Sequence, residues 1–323
     1  MAWHTLVHES RLARRVVSAR RIDLEAREAD SGNRLDKFLS QQVAEIGRHK
    51  AAELCALGRV RIDGQRAKKS ALLHAGAKVT VELEEPESLE PEPELPLDLR
   101  LERAELVVVN KPPGMPTAPL GTRERGTLCG ALLARYPEML GVGHRAREPG
   151  IVHRLDTQTS GLVLAARSAE FFTCMSQALE REELHKQYLA VVSAAGLAES
   201  GEISRALAPD PAHPERVRVL EPGDRSGYAR HKITRYRLKR IAGHRALIEL
   251  TVGSAFRHQI RAHLAAIGHP IAGDAVYGGE PLPGFGARHA LHASQLSWAG
   301  SASVPGFTIY EPLPPDLAAL LPE

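Results

Sequence analysis

The chain has 323 residues, of which 43% are hydrophobic and 25% charged, and its formal net charge is +3 at pH 7. This composition is typical of a folded globular protein and excludes disordered and fibrous classes, while the length predicts two domains or one domain with added segments. The sequence contains no run of 18 apolar residues, which excludes a transmembrane helix.

The first residues and the cysteines indicate a cytoplasmic protein. Arginines stand near the start of the chain, where a secretion signal needs an apolar core. The three cysteines, Cys55, Cys129 and Cys174, are widely spaced and odd in number, as expected for reduced thiols. No CxxC pair or HExxH motif occurs, and no glycine-rich phosphate loop follows a strand. We therefore predict neither a metal site nor a nucleotide cofactor.

The charge is unevenly distributed along the chain. Residues 84–99 contain seven acidic residues and no basic one, so the rest of the chain carries +10. That excess suits a polyanionic partner, although lysine and arginine usually only solvate a surface, and charge alone leaves nucleic-acid binding open. Because prolines recur through this acidic stretch, we predict a linker there rather than a helix.

The part of the chain before this linker has its own pattern. Residues 1–31 are predicted to be a basic arm with partial helicity. Within residues 32–83, apolar residues recur twice at helical spacing, Gly58 ends the second helix, and two strands follow, the first closing in an Asp63–Gly64 turn. This pattern resembles the S4 domain, a small RNA-binding domain named after ribosomal small-subunit protein four. The resemblance implies that five residues face RNA, namely Arg34, Arg48, His49, Lys50 and Arg59.

The part after the linker, residues 100–323, alternates strand-like and helix-like segments. Because the connectors between strand-like segments near 232–252 are short, we predict a mixed, largely antiparallel sheet and an α+β fold. The strand-like segments are LVVVNK, GLVLAAR, QYLAVV, KITRYRL and RALIELTV, and the helix-like ones lie near 127–135, 169–182 and 256–267.

The segment GIVHRLDTQTSGLVLAARS, residues 150–168, has the highest density of reactive side chains. In an extended backbone Arg154 and Asp156 point to the same side. Gly161 permits a sharp turn, and the apolar residues after it form a buried strand. A charged pair fixed at the end of a rigid strand is typical of an active site. The alternative is an ordinary ion pair between Arg154 and Asp156 that caps a sheet edge.

Two further segments carry candidate residues. Gln259, Arg261 and His263 lie on a predicted helix that ends at Gly268, before a GDxxYGG loop. In HKQYLAVV, Lys186 and Tyr188 share one strand face, although a tyrosine in a strand most often simply packs.

The ordered motifs VVVNKPPGM, HRLDTQTSGLVL, KQYLAVV and HQIRAHLAAIGHPIAGDAVYG resemble the RluA family of pseudouridine synthases. The resemblance implies a catalytic domain of pseudouridine synthase type behind the S4-like domain. It implies that Asp156 is the nucleophile and that Arg154 fills the space left by a flipped base. It further implies that Tyr188 stacks on the uracil and that Arg261 pairs with Asp156. The expected substrate is structured RNA, more often ribosomal than transfer RNA, modified by a monomer without a cofactor.

The implied reaction is consistent with these residue types. The base leaves the ribose through a ring nitrogen and rejoins through carbon five, so nothing is oxidised or added. A carboxylate can either attack the sugar or remove a sugar proton, and in both cases it must be ionised, which a nearby guanidinium favours. Three alternatives stay open at this point: a non-catalytic RNA-binding ribosome-assembly factor, a glycosylase that releases free uracil, and an enzyme directed to transfer RNA.

Overall fold

A computed structural model describes residues 19–43, 46–84, 89–120, 124–221, 223–224 and 226–322. The chain divides into two compact units, a front unit that ends at residue 87 and a back unit that begins at residue 88. Within the described residues, no helix is long and apolar enough to cross a membrane.

The front unit combines two helices with a four-stranded antiparallel sheet in the order β1-β4-β2-β3. Its strands are β1 (Ala19–Glu25), β2 (Val60–Ile62), β3 (Gln65–Arg66) and β4 (Lys78–Glu84), and its helices are α1 (Leu35–Gln42) and α2 (Arg48–Ala56). Leu35, Phe38 and Leu39 of α1 are buried against the sheet residues, as their helical spacing predicts. The Asp63–Gly64 turn is also confirmed, because both residues have positive φ and join β2 to β3.

The back unit contains one ten-stranded sheet in the order β10-β9-β11-β12-β8-β13-β7-β6-β5, with β14 paired to β13. Its strands are β5 (Leu99–Glu102), β6 (Leu106–Lys111), β7 (Ser160–Ala166), β8 (His185–Ser193), β9 (Ser200–Pro209), β10 (Val217–Val219), β11 (Arg230–Ala242), β12 (Arg245–Val252), β13 (Leu291–Gly300) and β14 (Pro305–Tyr310). Its helices are α3 (Leu128–Arg135), α4 (Ala169–Glu180), α5 (Gln259–Ala266) and α6 (Pro315–Ala318). Among these strands β7 and β13 form the parallel pair and the other pairings are antiparallel, so the predicted mixed, largely antiparallel α+β fold is confirmed.

Strand β7 is buried on both faces of this sheet. Val163 and Ala165 lie in a core shared with α3 and α5, whereas Leu162 and Leu164 lie in a second core shared with α4. A strand covered on both faces is apolar at every position, which explains why its sequence does not alternate. Gly161, with φ near +114°, passes so close to Ala293 that a β-carbon would lie 2.3 Å from its carbonyl oxygen.

The structure differs from the predicted domain bounds in two places. Residues 19–25 form β1, which pairs with β4, so this part of the predicted arm belongs to the front unit, while residues 1–18 lie outside the described residues. In the predicted linker, Leu89 and Glu92 are buried in the back unit. The Glu92 carboxylate accepts hydrogen bonds from the backbone of Gly126 and Thr127 at the start of α3, where the helix dipole favours a negative charge.

Candidate active site

The backbone that carries Asp156 is held in place just before it. The hydroxyl of Thr117, a buried residue, donates to the carbonyl of Leu155 at 2.8 Å and accepts from its backbone N–H at 3.2 Å. Both polar backbone groups of the neighbouring residue are therefore satisfied by one side chain, which fixes the point where the chain presents Asp156.

The backbone just after Asp156 is held by Lys111, at the end of β6. Its ammonium group is completely buried and donates to the carbonyls of Pro112 (2.9 Å), Met115 (2.8 Å) and Thr157 (3.1 Å). Burial lowers the pKa of Lys111 to about 7, against the effect of the nearby Asp156 charge. The lysine of the NKPPG motif thus ties the loop after β6 to the segment that carries Asp156.

The carboxylate of Asp156 faces Arg261 on α5. The Arg261 Nη1 donates to Asp156 Oδ2 at 2.9 Å, and the Asp156 side chain remains 24% exposed. Asp156 is therefore both paired with a cation and open to a ligand. The alternative pairing, an ion pair between Arg154 and Asp156, is not what the structure contains.

Arg261 is held from its other side by Asp274. Its Nε and Nη2 donate to the two oxygens of Asp274 at 2.7 and 2.8 Å, and Asp274 is only 1% exposed. Burial alone would lower the pKa of Arg261, but the hydrogen bonds to Asp274 and the charge of Asp156 outweigh it, and the pKa is raised. Burial would likewise raise the pKa of Asp274, yet the hydrogen bonds from Arg261 hold it below its usual value. The guanidinium is therefore charged and fixed in orientation.

Asp156, Arg261 and Tyr188 line one open cleft in the back unit. Tyr188 lies on the central strand β8, paired with Leu250 and Ala293, and is 5% exposed. Burial raises the pKa of its hydroxyl, with a further contribution from the Asp156 charge. The cleft is completed mainly by the loop before α5 and by apolar side chains, namely Leu155, Val252, Ala255, Phe256, Ile260 and Leu291.

Arg154 lies at the rim of the same cleft with its side chain 48% exposed. Its Nη1 donates to Glu148 at 3.0 Å, so it points away from Asp156 toward a neighbouring loop. Glu148 also accepts a hydrogen bond from Arg145 at 3.1 Å, so it keeps a cationic partner if Arg154 moves to another ligand.

Four of the five residues predicted to face RNA lie at the starts of the two helices of the front unit. Arg48, His49 and Lys50 form the exposed first turn of α2, which contains no acidic residue. Arg34 precedes α1 and pairs with Asp36 at 2.8 Å, Lys50 pairs with Glu53 at 3.1 Å, and Arg59 follows α2. Basic residues at a helix start oppose the helix dipole, so this arrangement favours an anionic ligand over internal stability.

Two contributors to the site have no assigned role in the sequence predictions. Asp274 belongs to the GDxxYGG loop, to which the sequence assigns no partner. One signal for it exists: a buried arginine has five N–H donors, and Asp156 alone could not accept all of them, so a second acceptor is required. His258 lies 3.8 Å from Asp156, just before α5. The helix predicted near 256–267 begins three residues later in the structure, so His258 belongs to the loop and not to the helix. Within the described residues, no group of three potential ligand side chains could hold a metal ion.

Thr117→Val tests the backbone clamp. The variant keeps the side-chain volume but leaves the buried N–H and C=O of Leu155 without a partner, so we expect the free energy of unfolding to fall by about 1–3 kcal/mol. Urea denaturation measures this change. The control is Thr173→Val, which removes the same kind of hydroxyl from an exposed position on α4. Equal losses in the two variants would show that the clamp contributes nothing.

Known proteins resemble this chain in sequence and in fold. A family model described as RNA pseudouridylate synthase matches residues 105–266, and a model of the S4 domain matches residues 33–79. A ribosomal large subunit pseudouridine synthase D of Xylella fastidiosa is 32% identical over 305 residues, covering 90% of this chain and 88% of the relative. An uncharacterized RNA pseudouridine synthase of Bacillus subtilis is 31% identical, covering 93% of this chain and 97% of the relative.

Among solved structures, the human RNA pseudouridylate synthase domain containing 1 superposes with a TM-score of 0.55 at 22% identity. The superposition covers 72% of this chain and 90% of the human one. At this identity the likeness concerns the fold alone. The comparisons confirm both resemblances that the sequence motifs indicate.

Proposed function

The chain belongs to the RNA pseudouridylate synthase family, and on that premise we propose that it isomerises uridines of large-subunit ribosomal RNA, with Asp156 as the reacting carboxylate. The observation that carries this proposal is the placement of Asp156 at the mouth of an open cleft, 2.9 Å from a buried guanidinium that Asp274 orients. An ionised carboxylate open to a ligand is what either form of the reaction requires.

The geometry supports a flipped uridine in the cleft. The target atoms lie inside the nucleotide stack, so the base must leave it, at a cost of a few kcal/mol. In the cleft the ribose would meet Asp156, which either attacks it or takes a sugar proton, and the bond to the ring nitrogen breaks. The uracil anion keeps the bonding electrons, turns, and rejoins the ribose through carbon five. Asp156 is released from the ribose in this step, or returns the sugar proton that it took. Arg261 donates a hydrogen bond to the Asp156 carboxylate from the wall of the cleft.

Tyr188 would stack on the uracil, and Arg154 at the rim would occupy the gap that the base leaves in the RNA. Base stacking on an aromatic ring contributes about 1–3 kcal/mol. Tyr188→Leu is therefore expected to lower kcat/KM by about 5- to 150-fold, whereas Tyr188→Phe keeps the ring and loses less. Steady-state kinetics on an RNA substrate measures both variants. The control, Tyr310→Leu, changes an exposed tyrosine of β14 outside the cleft, and a loss there equal to that in Tyr188→Leu would contradict the stacking role.

The front unit would hold the RNA. Arg34, Arg48, His49, Lys50 and Arg59 are the residues proposed to contact its phosphates, because four of them are exposed basic groups beside a helix start. Ribosomal rather than transfer RNA is favoured by the relatives named ribosomal large subunit pseudouridine synthase D. A cytoplasmic location and action as a monomer are part of the same proposal, since all groups of the cleft come from one chain.

Carbodiimide mapping of pseudouridines in total RNA tests the substrate. Cells that lack the gene are expected to lose one or more signals in large-subunit ribosomal RNA and none in transfer RNA. Loss only in transfer RNA would overturn the choice of substrate, and unchanged signals would favour a non-catalytic assembly factor. Chromatography of the products of the purified enzyme separates isomerisation from glycosylase action, since only a glycosylase releases free uracil.

A further inference from the structure

We propose that His258 is the base that removes the proton from carbon five of the rejoined uracil. The role rests on the proposed function and deepens it, because the isomerisation includes a step to which no residue has yet been assigned. When the base rejoins through carbon five, that atom still carries its hydrogen. The hydrogen must leave as a proton before pseudouridine is complete.

His258 lies where this proton would be released. Its Nε2 is 3.8 Å from Asp156 Oδ2, and its side chain lines the cleft. At this stage carbon five is bonded directly to the first carbon of the ribose, and Asp156 acts on that carbon or on its neighbour. A group beside the Asp156 carboxylate is therefore within reach of the hydrogen on carbon five. Among the described residues that line the cleft, His258 is the one histidine.

The hydrogen bonds of Tyr277 accommodate the tautomer of His258 in which Nε2 is unprotonated. The Tyr277 hydroxyl donates to the carbonyl of Val217 at 3.3 Å and accepts from its backbone N–H at 2.9 Å. When the hydroxyl proton points to the Val217 carbonyl, Nδ1 of His258, 3.1 Å away, donates to the Tyr277 oxygen. Nε2 then carries a lone pair, and its 3.8 Å separation from the carboxylate fits two acceptors rather than a hydrogen bond.

The backbone of His258 adopts a conformation that L residues rarely take. Its φ is +54°, in the left-handed region, at the residue that precedes α5. Residues held in this region often lie at functional sites, where surrounding contacts maintain the conformation. Here the His258 ring packs edge-on against the Tyr277 ring with centroids 5.8 Å apart, and Gln259 closes the preceding turn on Phe256. The conformation aims the imidazole into the cleft.

The other polar groups near Asp156 are less suited to accept this proton. Burial raises the pKa of the Tyr188 hydroxyl, which stays protonated. Lys111 is fully buried and donates to three carbonyls, and the buried His289 is bonded to Thr159 at 2.8 Å.

The charge state of His258 suits a base at neutral pH. Burial lowers its pKa from 6.5, and Arg261 and Arg257 act in the same direction, while Asp156 and Asp274 act against them. The imidazole is therefore neutral near pH 7, and a neutral imidazole is an effective proton acceptor.

The step balances without a further reactant. The bond between carbon five and its hydrogen breaks, the proton passes to Nε2, and the electron pair returns to the ring. The negative charge that develops on ring nitrogen one is neutralised when the imidazolium or water returns a proton. Overall one hydrogen moves from carbon five to nitrogen one, and His258 is regenerated.

His258→Asn tests the proposal, since asparagine tolerates a left-handed backbone but cannot accept the proton. With RNA transcripts that carry either uridine or 5-deuteriouridine, we expect kcat to fall by about 10²- to 10⁴-fold with little change in KM. The variant should also show a larger deuterium isotope effect on kcat than the wild type. The control is His244→Asn, which changes an exposed histidine in the turn between β11 and β12. Its kcat and isotope effect should match those of the wild type.

A second variant, His258→Gly, accommodates the same backbone and opens space for added imidazole. Its turnover is expected to rise with the concentration of free imidazole base, which a purely structural role would not produce. An unchanged isotope effect in His258→Asn together with no imidazole rescue would overturn the inference. A wild-type enzyme that forms no pseudouridine would overturn the proposed function itself, so the two failures are distinguishable.

Discussion

Asp156→Asn is expected to fold, to bind ribosomal RNA and to form no pseudouridine. The amide can still accept a hydrogen bond from Arg261, and Arg261 keeps its charge partner Asp274. Because the Asp156 side chain is partly exposed, the free energy of unfolding should change by less than about 1 kcal/mol. Activity should fall by about 10⁴-fold or more, as is common when a nucleophile or its base is removed.

Tritium release from RNA labelled at carbon five of uridine measures the activity of this variant, and thermal denaturation and RNA binding measure its integrity. Asp316→Asn is the matched control, because Asp316 also pairs with an arginine, Arg288 at 2.7 Å, but outside the cleft. Turnover by Asp156→Asn at a level close to the control would contradict the assignment of the reacting carboxylate.

Arg261→Met is expected to lose both stability and activity. It leaves the Asp274 carboxylate buried without the two charged hydrogen bonds that now compensate it. Breaking a buried pair from one side typically costs about 3–5 kcal/mol. Asp156 loses its cationic partner at the same time, so product formation should fall to the level of Asp156→Asn.

A double variant separates these two effects. Arg261→Met combined with Asp274→Asn removes both buried charges, and the new amide oxygen can still accept from the backbone of Val276 and Tyr277. The double variant should recover much of the stability in urea denaturation and none of the activity. The control, Arg237→Met, breaks the exposed pair with Glu249 and should cost about 0–1 kcal/mol. A double variant less stable than Arg261→Met would contradict the account of the buried pair.

The sequence predicts a helix or a turn where the residues that determine it are close together in the chain. The spacing of Leu35, Phe38 and Leu39 predicts α1, and Asp63–Gly64 predicts its hairpin, because helical faces and two-residue turns depend on nearby residues. Strands β9 and β13 were not predicted. Both mix polar with apolar residues, and their strand conformation depends on pairing with β11 and β8, distant in the chain.

The candidate site shows the same division. Arg154, Asp156, Tyr188 and Arg261 are predicted from motifs, and the structure brings Asp156, Tyr188 and Arg261 into one cleft, although their chemical roles stay predictions. The residues that hold these side chains in place could not be predicted, because they contact them only in the folded structure and lie far away in the sequence. The Thr117 hydroxyl is hydrogen-bonded to the backbone of Leu155, 38 positions further along the chain, and nothing in the sequence indicates that contact.

The most direct test of the central claim is mapping of pseudouridines in large-subunit ribosomal RNA from cells that lack the gene and carry either the wild-type or the Asp156→Asn protein at equal abundance. We expect the wild-type protein to restore every lost modification and Asp156→Asn to restore none. Restoration by Asp156→Asn would show that the carboxylate held by Arg261 is not the group that carries out the reaction.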